Sequence, residues 1–417
     1  MTFNRRKFVQ AAGAGLGASA LGFPAIVRAQ GEPIRIGLLT VKTGALASGG
    51  IDMERGLVMY LRERNYSMAR RKVELTVADT GGTPAQARTK MQELVERDKV
   101  YAVVGPLAAF EALAMDDYIR AQQIPTLPIA GAEDMTQRHA NPWFVRATST
   151  SAQCAHPMAD YCAKTLKYKR MAAIADDFAY GHEMLAGFQR VFEDAGGKLV
   201  QKMFSPLNVP DYGTYIAQLK TDVDGVFLGF AGSNGFRWFR QFNEYGLKGK
   251  VPVLGGMTAF DEPVLRNMGD EALGVLSSCW YSAQFDNSAN RKFAAAFRAE
   301  NGYDPGQYAA GTYLYGAVLH AAIDALKGDV ANKAAFIRAL RSVNTADTVR
   351  GPVAFDDYGN VIGDFYIRKV EKKDGRLVNT VIHTYRNVSQ FWTYDPKEFL
   401  KNPVYSRDWP PAKNLGS

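Results

Sequence analysis

The sequence predicts an α/β protein with two lobes, each built on a parallel sheet, and three observations carry that expectation. Short apolar runs beginning near Val73, Tyr101 and Pro125 are echoed by runs near Lys198, Val226 and Val251. Helical patterns follow the middle pair from about Ala108 and Ser233, so the steps from 101 to 226 and from 108 to 233 agree on a repeat near 125 residues. Strands alternate with helices, the order that yields parallel sheets with ligand sites beyond the carboxyl ends of the strands. Two such sheets facing each other put both sets of strand-end loops around one small molecule.

The chain opens on an export signal, expected over residues 1–29. Asn4-Arg5-Arg6-Lys7-Phe8-Val9 resembles the twin-arginine pattern, and the weakly apolar run from Ala11 to Leu21 leads to Val27-Arg28-Ala29, an A-x-A-like cleavage site. That run is too short and too rich in Gly and Ala for a spanning helix, which needs about 20 apolar residues. Removing Arg5, Arg6, Lys7 and Arg28 with no acid lowers the formal charge from +8 to +4. The remaining basic residues are scattered among acids, which argues against nucleic acid as a partner. The mature length suits two domains, and 47% hydrophobic residues supply two cores.

The first unit starts with the buried strand Ile34-Arg35-Ile36-Gly37-Leu38-Leu39 and the loop from Thr43 to Gly50. After the strand at Val73, Thr83 reads as a helix N-cap with Pro84 at the first helical position and Gln86 completing a capping box. Ala87, Met91, Leu94 and Val95 then share one helical face. Tyr101-Ala102-Val103-Val104 is a strand ending at Gly105-Pro106, and Pro125 to Ile129 carries the chain back. The second unit repeats this from Arg170-Met171-Ala172-Ala173-Ile174-Ala175, through a helix burying Met184, Phe188, Val191 and Phe192 that stops at Gly196-Gly197. Its central strand is Asp224 to Gly229, and the next, Lys250 to Leu254, ends in Gly255-Gly256-Met257-Thr258.

Beyond Gly274 the pattern changes. Helices are expected over 288–301 and 307–327, the second with a stripe of Leu314, Val318, Ala321 and Ala325. Short strands are expected between Pro352 and Tyr394, and the aromatic cluster Phe391-Trp392-Tyr394 is expected to cover lobe surface. Cys154 and Cys162 share a predicted helix, where eight residues span about 12 Å. A disulfide needs Cα atoms within about 7 Å, so these two are not expected to pair. His139, His156, His182, His320 and His383 are dispersed without metal-ligand spacing, so no metal or other cofactor is expected.

Several loops carry a resemblance. Thr43-Gly44 with Gly50, Gly105-Pro106, Ala130-Gly131-Ala132-Glu133-Asp134-Met135-Thr136 and Phe144-Val145-Arg146-Ala147-Thr148 come in order. Asp176-Asp177-Phe178-Ala179-Tyr180-Gly181 and Gly351-Pro352-Val353-Ala354-Phe355-Asp356 follow. Together they resemble the type I periplasmic solute-binding proteins of ABC importers, in the leucine/isoleucine/valine receptor branch, over about Ile34 to Tyr394. The resemblance implies two Rossmann-like lobes joined by three crossovers near 147–151, 276–280 and 349–352. It assigns 30–147 with 281–350 to one lobe, 148–280 with 351–390 to the other, and 391–417 to a C-terminal extension packed on them. It also implies a monomer in the periplasm that closes on a small molecule and is then read by an ABC permease in the inner membrane.

Carried over residue by residue, the family's site is altered. Amino-acid receptors place hydroxyl side chains where this chain has Leu107-Ala108-Ala109-Phe110 and Ala130-Gly131-Ala132. Gly49 falls where leucine receptors have an aromatic wall, which leaves more room. Helix amides after Pro106 remain able to receive an anion. The resemblance therefore implies an apolar pocket for a small aromatic or hydrophobic carboxylate. Tyr180, Phe230 and Met257 would wall one side, with Gly232 beside them, and Leu46, Ala108, Ala109, Phe110, Ala130, Gly131, Ala132 and Thr148 the other. A branched-chain amino acid or short amide is the alternative cargo, and a ligand sensor without transport is the alternative role. Arg146 reads as a structural ion pair under the hinge rather than an anion clamp. Ala231-Gly232-Ser233-Asn234-Gly235 nearly spells a hydrolase nucleophile elbow, but the first Gly is missing. His320 and His383 sit in regular helix or strand patterns, so Ser233 reads as an N-cap and no enzyme is expected.

Overall fold

The computed structural model describes residues 31–416; the export signal expected at 1–29 lies outside the described residues. The first half contains β1 (Ile34–Thr40), α1 (Ala47–Arg62), β2 (Ser67–Met68), β3 (Arg71–Asp79), α2 (Pro84–Gln92), β4 (Ala102–Val104), α3 (Ala109–Gln122) and β5 (Thr126–Leu127). The chain then crosses to α4 (Ser151–Lys164), β6 (Arg170–Asp176), α5 (Ala179–Asp194), β7 (Lys198–Ser205), α6 (Gly213–Ala217), β8 (Gly225–Gly229), α7 (Asn234–Glu244), β9 (Val253–Gly255), α8 (Glu262–Leu265) and β10 (Leu276–Cys279). It returns as α9 (Ser288–Asn301), α10 (Gln307–Ala325) and α11 (Lys333–Arg341). It ends in β11 (Ala354–Phe355), β12 (Val361–Lys373), β13 (Arg376–Val388) and α12 (Pro396–Leu400).

Strands run β2-β3-β1-β4-β5 in one sheet and β11-β12-β10-β9-β8-β6-β7 in the other, with β13 paired to β12. The segments β3-β1-β4-β5 and β7-β6-β8-β9 have the same order and are parallel throughout. The repeat read in the sequence is thus a repeat of topology. α10 packs on α1, where the Thr312 hydroxyl donates to the Met53 carbonyl (2.7 Å). A Cβ on Gly56 would lie 2.0 Å from the Ala309 carbonyl oxygen, so glycine sets how closely these two helices approach. The third passage of the chain between sheets is tied to the first two. Arg350 donates to the carbonyls of Ala147 (2.7 Å) and Thr148 (2.6 Å) and lies over the Trp280 ring at 5.0 Å.

Local expectations fared unevenly. Thr83 Oγ1 accepts the Gln86 N–H (3.3 Å), but the Thr83 N–H goes to the Thr80 carbonyl (3.3 Å) rather than to the Gln86 side chain, so only half of the expected capping box forms; Ala87, Met91 and Leu94 are buried. In α10 the expected stripe turns: Leu314 and Val318 are buried, but Ala321 and Ala325 are exposed while Leu319, Ala322 and Ile323 are buried. The short strands expected after Pro352 include one long hairpin, with β12 and β13 of 13 residues each. Phe391, Phe399 and Tyr405 bury themselves against Ala152 of α4 and Ala186 of α5, so the C-terminal segment lies on the second half.

Candidate ligand-binding site

The carboxyl ends of the central strands in both sheets meet at a small cavity of about 30 Å³. That is far less than the ~300–1,000 Å³ common for small-molecule sites, so in this arrangement the two halves lie close together. The first half contributes Leu46, Leu107, Ala108, Ala109, Ile129 and Gly131, together with Gln307 and Tyr308 from the start of α10. The second half contributes Phe178, Tyr180, Ala231, Met257 and Thr258. None of the described side chains that line it carries a charge.

Each wall is held from behind. Glu111, fully buried, accepts the Ala108 N–H through Oε2 (3.0 Å) and the Thr80 hydroxyl through Oε1. That carboxylate supplies the half of a capping box that receives the N-cap amide of α3, and burial raises its pKa. The next two amides, of Ala109 and Phe110, have no acceptor among the described residues, as expected for a helix first turn. In the second half Asp176, at the end of β6, accepts from Ala231 N–H (2.7 Å) and from the Asn234 side-chain amide (2.7 Å). Burial pushes Asp176 up to about 7, against the pull of those two hydrogen bonds.

Tyr180 is fixed by a directional chain. Thr258 donates its only hydroxyl proton to the Phe230 carbonyl, so the Tyr180 hydroxyl must donate to Thr258 Oγ1 (2.9 Å). The Tyr180 ring stacks with Phe178 (centroids 6.0 Å, planes 28° apart), and Phe178 meets Phe110 edge-on at 5.4 Å. An aromatic pair on the second half thus opposes aliphatic strand-end loops on the first, with the Tyr308 ring of α10 beside them.

Of the residues expected at the site, Leu46, Ala108, Ala109, Gly131, Tyr180 and Met257 line the cavity. Six others do not. Phe230 points into the second core against Tyr212 and Trp238, because side chains alternate along an extended segment and Ala231 takes the cavity face. Phe110 stands one step behind, against Phe178. The Ala130 N–H bonds to the Pro106 carbonyl (3.1 Å), and the Ala132 carbonyl accepts from Arg146. Thr148 belongs to the crossover, where its carbonyl receives Arg350. Gly232 has φ +54°, and a Cβ there would lie 2.1 Å from the Ala45 carbonyl oxygen across the cleft, so it is a contact between halves.

Arg146 donates twice to the Ala132 carbonyl (3.0 and 2.9 Å) and to the Thr136 hydroxyl (2.7 Å), and burial lowers its pKa to about 10. It braces the loop beneath the cavity through neutral acceptors, so the ion pair expected of it is replaced by hydrogen bonds. The room expected beside Gly49 is filled: a Cβ there would meet the Tyr308 ring at 2.8 Å. Ser233 makes no side-chain cap bond, contrary to expectation; its N–H reaches the Ala45 carbonyl (3.3 Å). Its supposed bases are engaged elsewhere, His320 with Tyr60 (3.2 Å) and His383 between Tyr161 and Tyr385.

Sequence reasoning missed Leu107, Ile129, Phe178, Ala231, Thr258, Gln307 and Tyr308 as lining residues. The first five lie in strand-end loops singled out in the sequence, within two residues of positions expected at the site, and that adjacency was the available signal. Gln307 and Tyr308 lie outside the repeat.

Similar proteins share this architecture. An ABC transporter substrate-binding protein from Sphaerobacter thermophilus superposes with a TM-score of 0.80 at 33% identity, over 85% of this chain and 98% of that one. A solute-binding protein of an ABC transporter from Rhodopseudomonas palustris BisB5, in complex with 3,4-dihydroxybenzoic acid, gives 0.82 at 29% identity, over 86% and 98%. Leu/Ile/Val-binding protein homolog 6 of Brucella abortus (strain 2308) is 26% identical over 86% of this chain and 93% of its own length. Residues 33–376 match the family described as periplasmic binding protein, and with two like-ordered sheets around one interlobe cavity the chain belongs to that family.

Proposed function

We propose that this chain captures a small aromatic or hydrophobic carboxylate in the interlobe cavity and presents it, as a monomer, to an ABC permease. Twin-arginine export would bring it to the periplasm. Residues 30–147 with 281–350 and residues 148–280 with 351–390 would act as two bodies. Closure follows because only the closed arrangement touches the ligand from both sides, which is the differential affinity that shifts such an equilibrium.

The observation that carries the cargo assignment is a wall without any charged side chain. An α-ammonium group buried there would have no carboxylate partner, and an unpaired buried charge is costly. A ligand carboxylate, by contrast, finds the open amides of Ala109 and Phe110 at the α3 N-terminus. The stacked Phe178 and Tyr180 suit a ring, at about 0.5–1.5 kcal/mol per aromatic pair beyond burial. The benzoate-type ligand of the R. palustris protein supports the same reading.

A thermal-shift panel of benzoates, phenylpropanoids, branched-chain amino acids and short amides tests this. An aromatic acid at 100 times its Kd should add about 2.7 kcal/mol of stability. Stabilisation by leucine or valine with no response to any aromatic acid overturns the assignment.

A further inference from the structure

Gln307 is 1% exposed and lines the cavity, yet neither its Oε1 nor its Nε2 has a hydrogen-bond partner among the described residues. The Tyr308 hydroxyl lies near enough to feel it but outside hydrogen-bonding geometry. Its main chain is held across the cleft, because the Gln307 N–H donates to Asp261 Oδ2 (2.8 Å) while Asp261 Oδ1 is tied to Arg368 (3.2 Å). A buried primary amide presents one acceptor and two donors, and leaving them unmade costs free energy that a ligand can return.

Two other polar side chains on the wall are already committed, and the Tyr308 hydroxyl stands beside Gln307. The Tyr180 proton goes to Thr258, and the Thr258 proton goes to the Phe230 carbonyl. A ligand carboxylate offers only acceptors, so it satisfies Nε2 and leaves Oε1 bare. A hydroxyl both donates and accepts, and it brings no charge into a wall that has none to oppose it. We propose that Gln307 is a specificity-determining residue that reads a ring hydroxyl, so that the preferred cargo is a hydroxylated aromatic carboxylate. This inference rests on the aromatic-carboxylate reading.

Titration calorimetry on the purified protein tests it with benzoate, the three monohydroxybenzoates and their methoxy analogues. At least one hydroxybenzoate should bind about tenfold or more tightly than benzoate. Its methoxy analogue, which keeps an acceptor but loses the donor, should return to the affinity of benzoate or below. Gln307→Met should bring the hydroxybenzoate-to-benzoate ratio close to one while benzoate itself still binds. Should that variant fail to fold, the wild-type panel decides alone. Equal binding of benzoate and all three hydroxybenzoates, or a ratio that survives Gln307→Met, overturns the role of Gln307 and leaves the aromatic reading standing. Failure to bind any aromatic acid overturns both.

Discussion

The two halves arrange their strands alike but hold their cleft loops by different means. In each, a buried carboxylate receives a backbone amide of the loop after the middle strand: Glu111 receives Ala108, and Asp176 receives Ala231. Glu111 sits three residues along the helix it caps and also receives the Thr80 hydroxyl, which has the Thr40 carbonyl as a second acceptor, so its support is mainly local. Asp176 reaches from the end of β6 across 55 residues and grips the Asn234 side chain as well. The walls differ in step. The strand-end loops of the first half are aliphatic, and the second half offers the rings of Phe178 and Tyr180. Duplication of a topology therefore dictates where the loops arrive, while what braces them and what they display vary independently.

The largest effect should come from breaking the longer-range brace. Asp176→Ala leaves the Ala231 amide and one hydrogen of the Asn234 amide unpaired and should destabilise the protein by about 3 kcal/mol or more, against about 1–2 kcal/mol for Glu111→Ala, where the Thr80 hydroxyl keeps the Thr40 carbonyl as an acceptor (3.2 Å). Urea denaturation of both variants measures the difference, and the reverse order would end the distinction between local and distant support.

Next comes a pH test confined to the first half. Burial pushes Asp52 up to about 6 from an ordinary 3.8, offset by the Tyr303 hydroxyl and the Arg55 and Arg266 charges. The folded protein therefore holds a proton that the unfolded chain has released between about pH 4 and pH 6, and this contribution to stability falls as pH rises through that window. Asp52→Asn should flatten the slope relative to wild type, by about 2 kcal/mol across the window. Identical pH profiles for the two proteins would show that Asp52 titrates as it does in the unfolded chain.

The contrast between the walls is tested by ligand affinity. Tyr180→Ala should weaken binding of an aromatic acid about tenfold while the protein still unfolds cooperatively, and Leu46→Ala should cost about threefold. Unchanged affinity in Tyr180→Ala would remove that ring from the site. The smallest effect is expected where the halves meet at the rim. There Arg376 at the tip of the β12–β13 hairpin pairs with Asp304 (2.6 Å), and both are reached by solvent to different degrees, 38% and 5%. Arg376→Ala should weaken ligand binding only about twofold, through the closed state, and high salt should erase the difference.

Much of the fold was legible because apolar runs repeat at a constant interval, and α9 falls on the expected 288–301. The length of β12 and β13 was hidden because their outer ends are polar, Glu371-Lys372-Lys373 and Arg376, and gain order by pairing with each other rather than by burial. The stripe on α10 misled because small residues cover most of that helix, so alanine does not report which face is inside. At the site, the loops were legible and their facing was not. Phe230 looked like a ligand contact because it is aromatic, whereas one residue of alternation gives the cavity to Ala231. Gln307 and Tyr308 gave no signal because they enter from a helix outside the repeat, and only tertiary packing brings them to the cleft.

Gly232 bears a consequence of its own. With bare hydrogen where other residues carry carbon, it lets the main chains of opposite halves come within one hydrogen bond at Ser233 and Ala45. A single methyl placed there would serve as a doorstop, wedging the jaws ajar whatever lay between them. In this arrangement the width of the mouth is thus set by peptide against peptide.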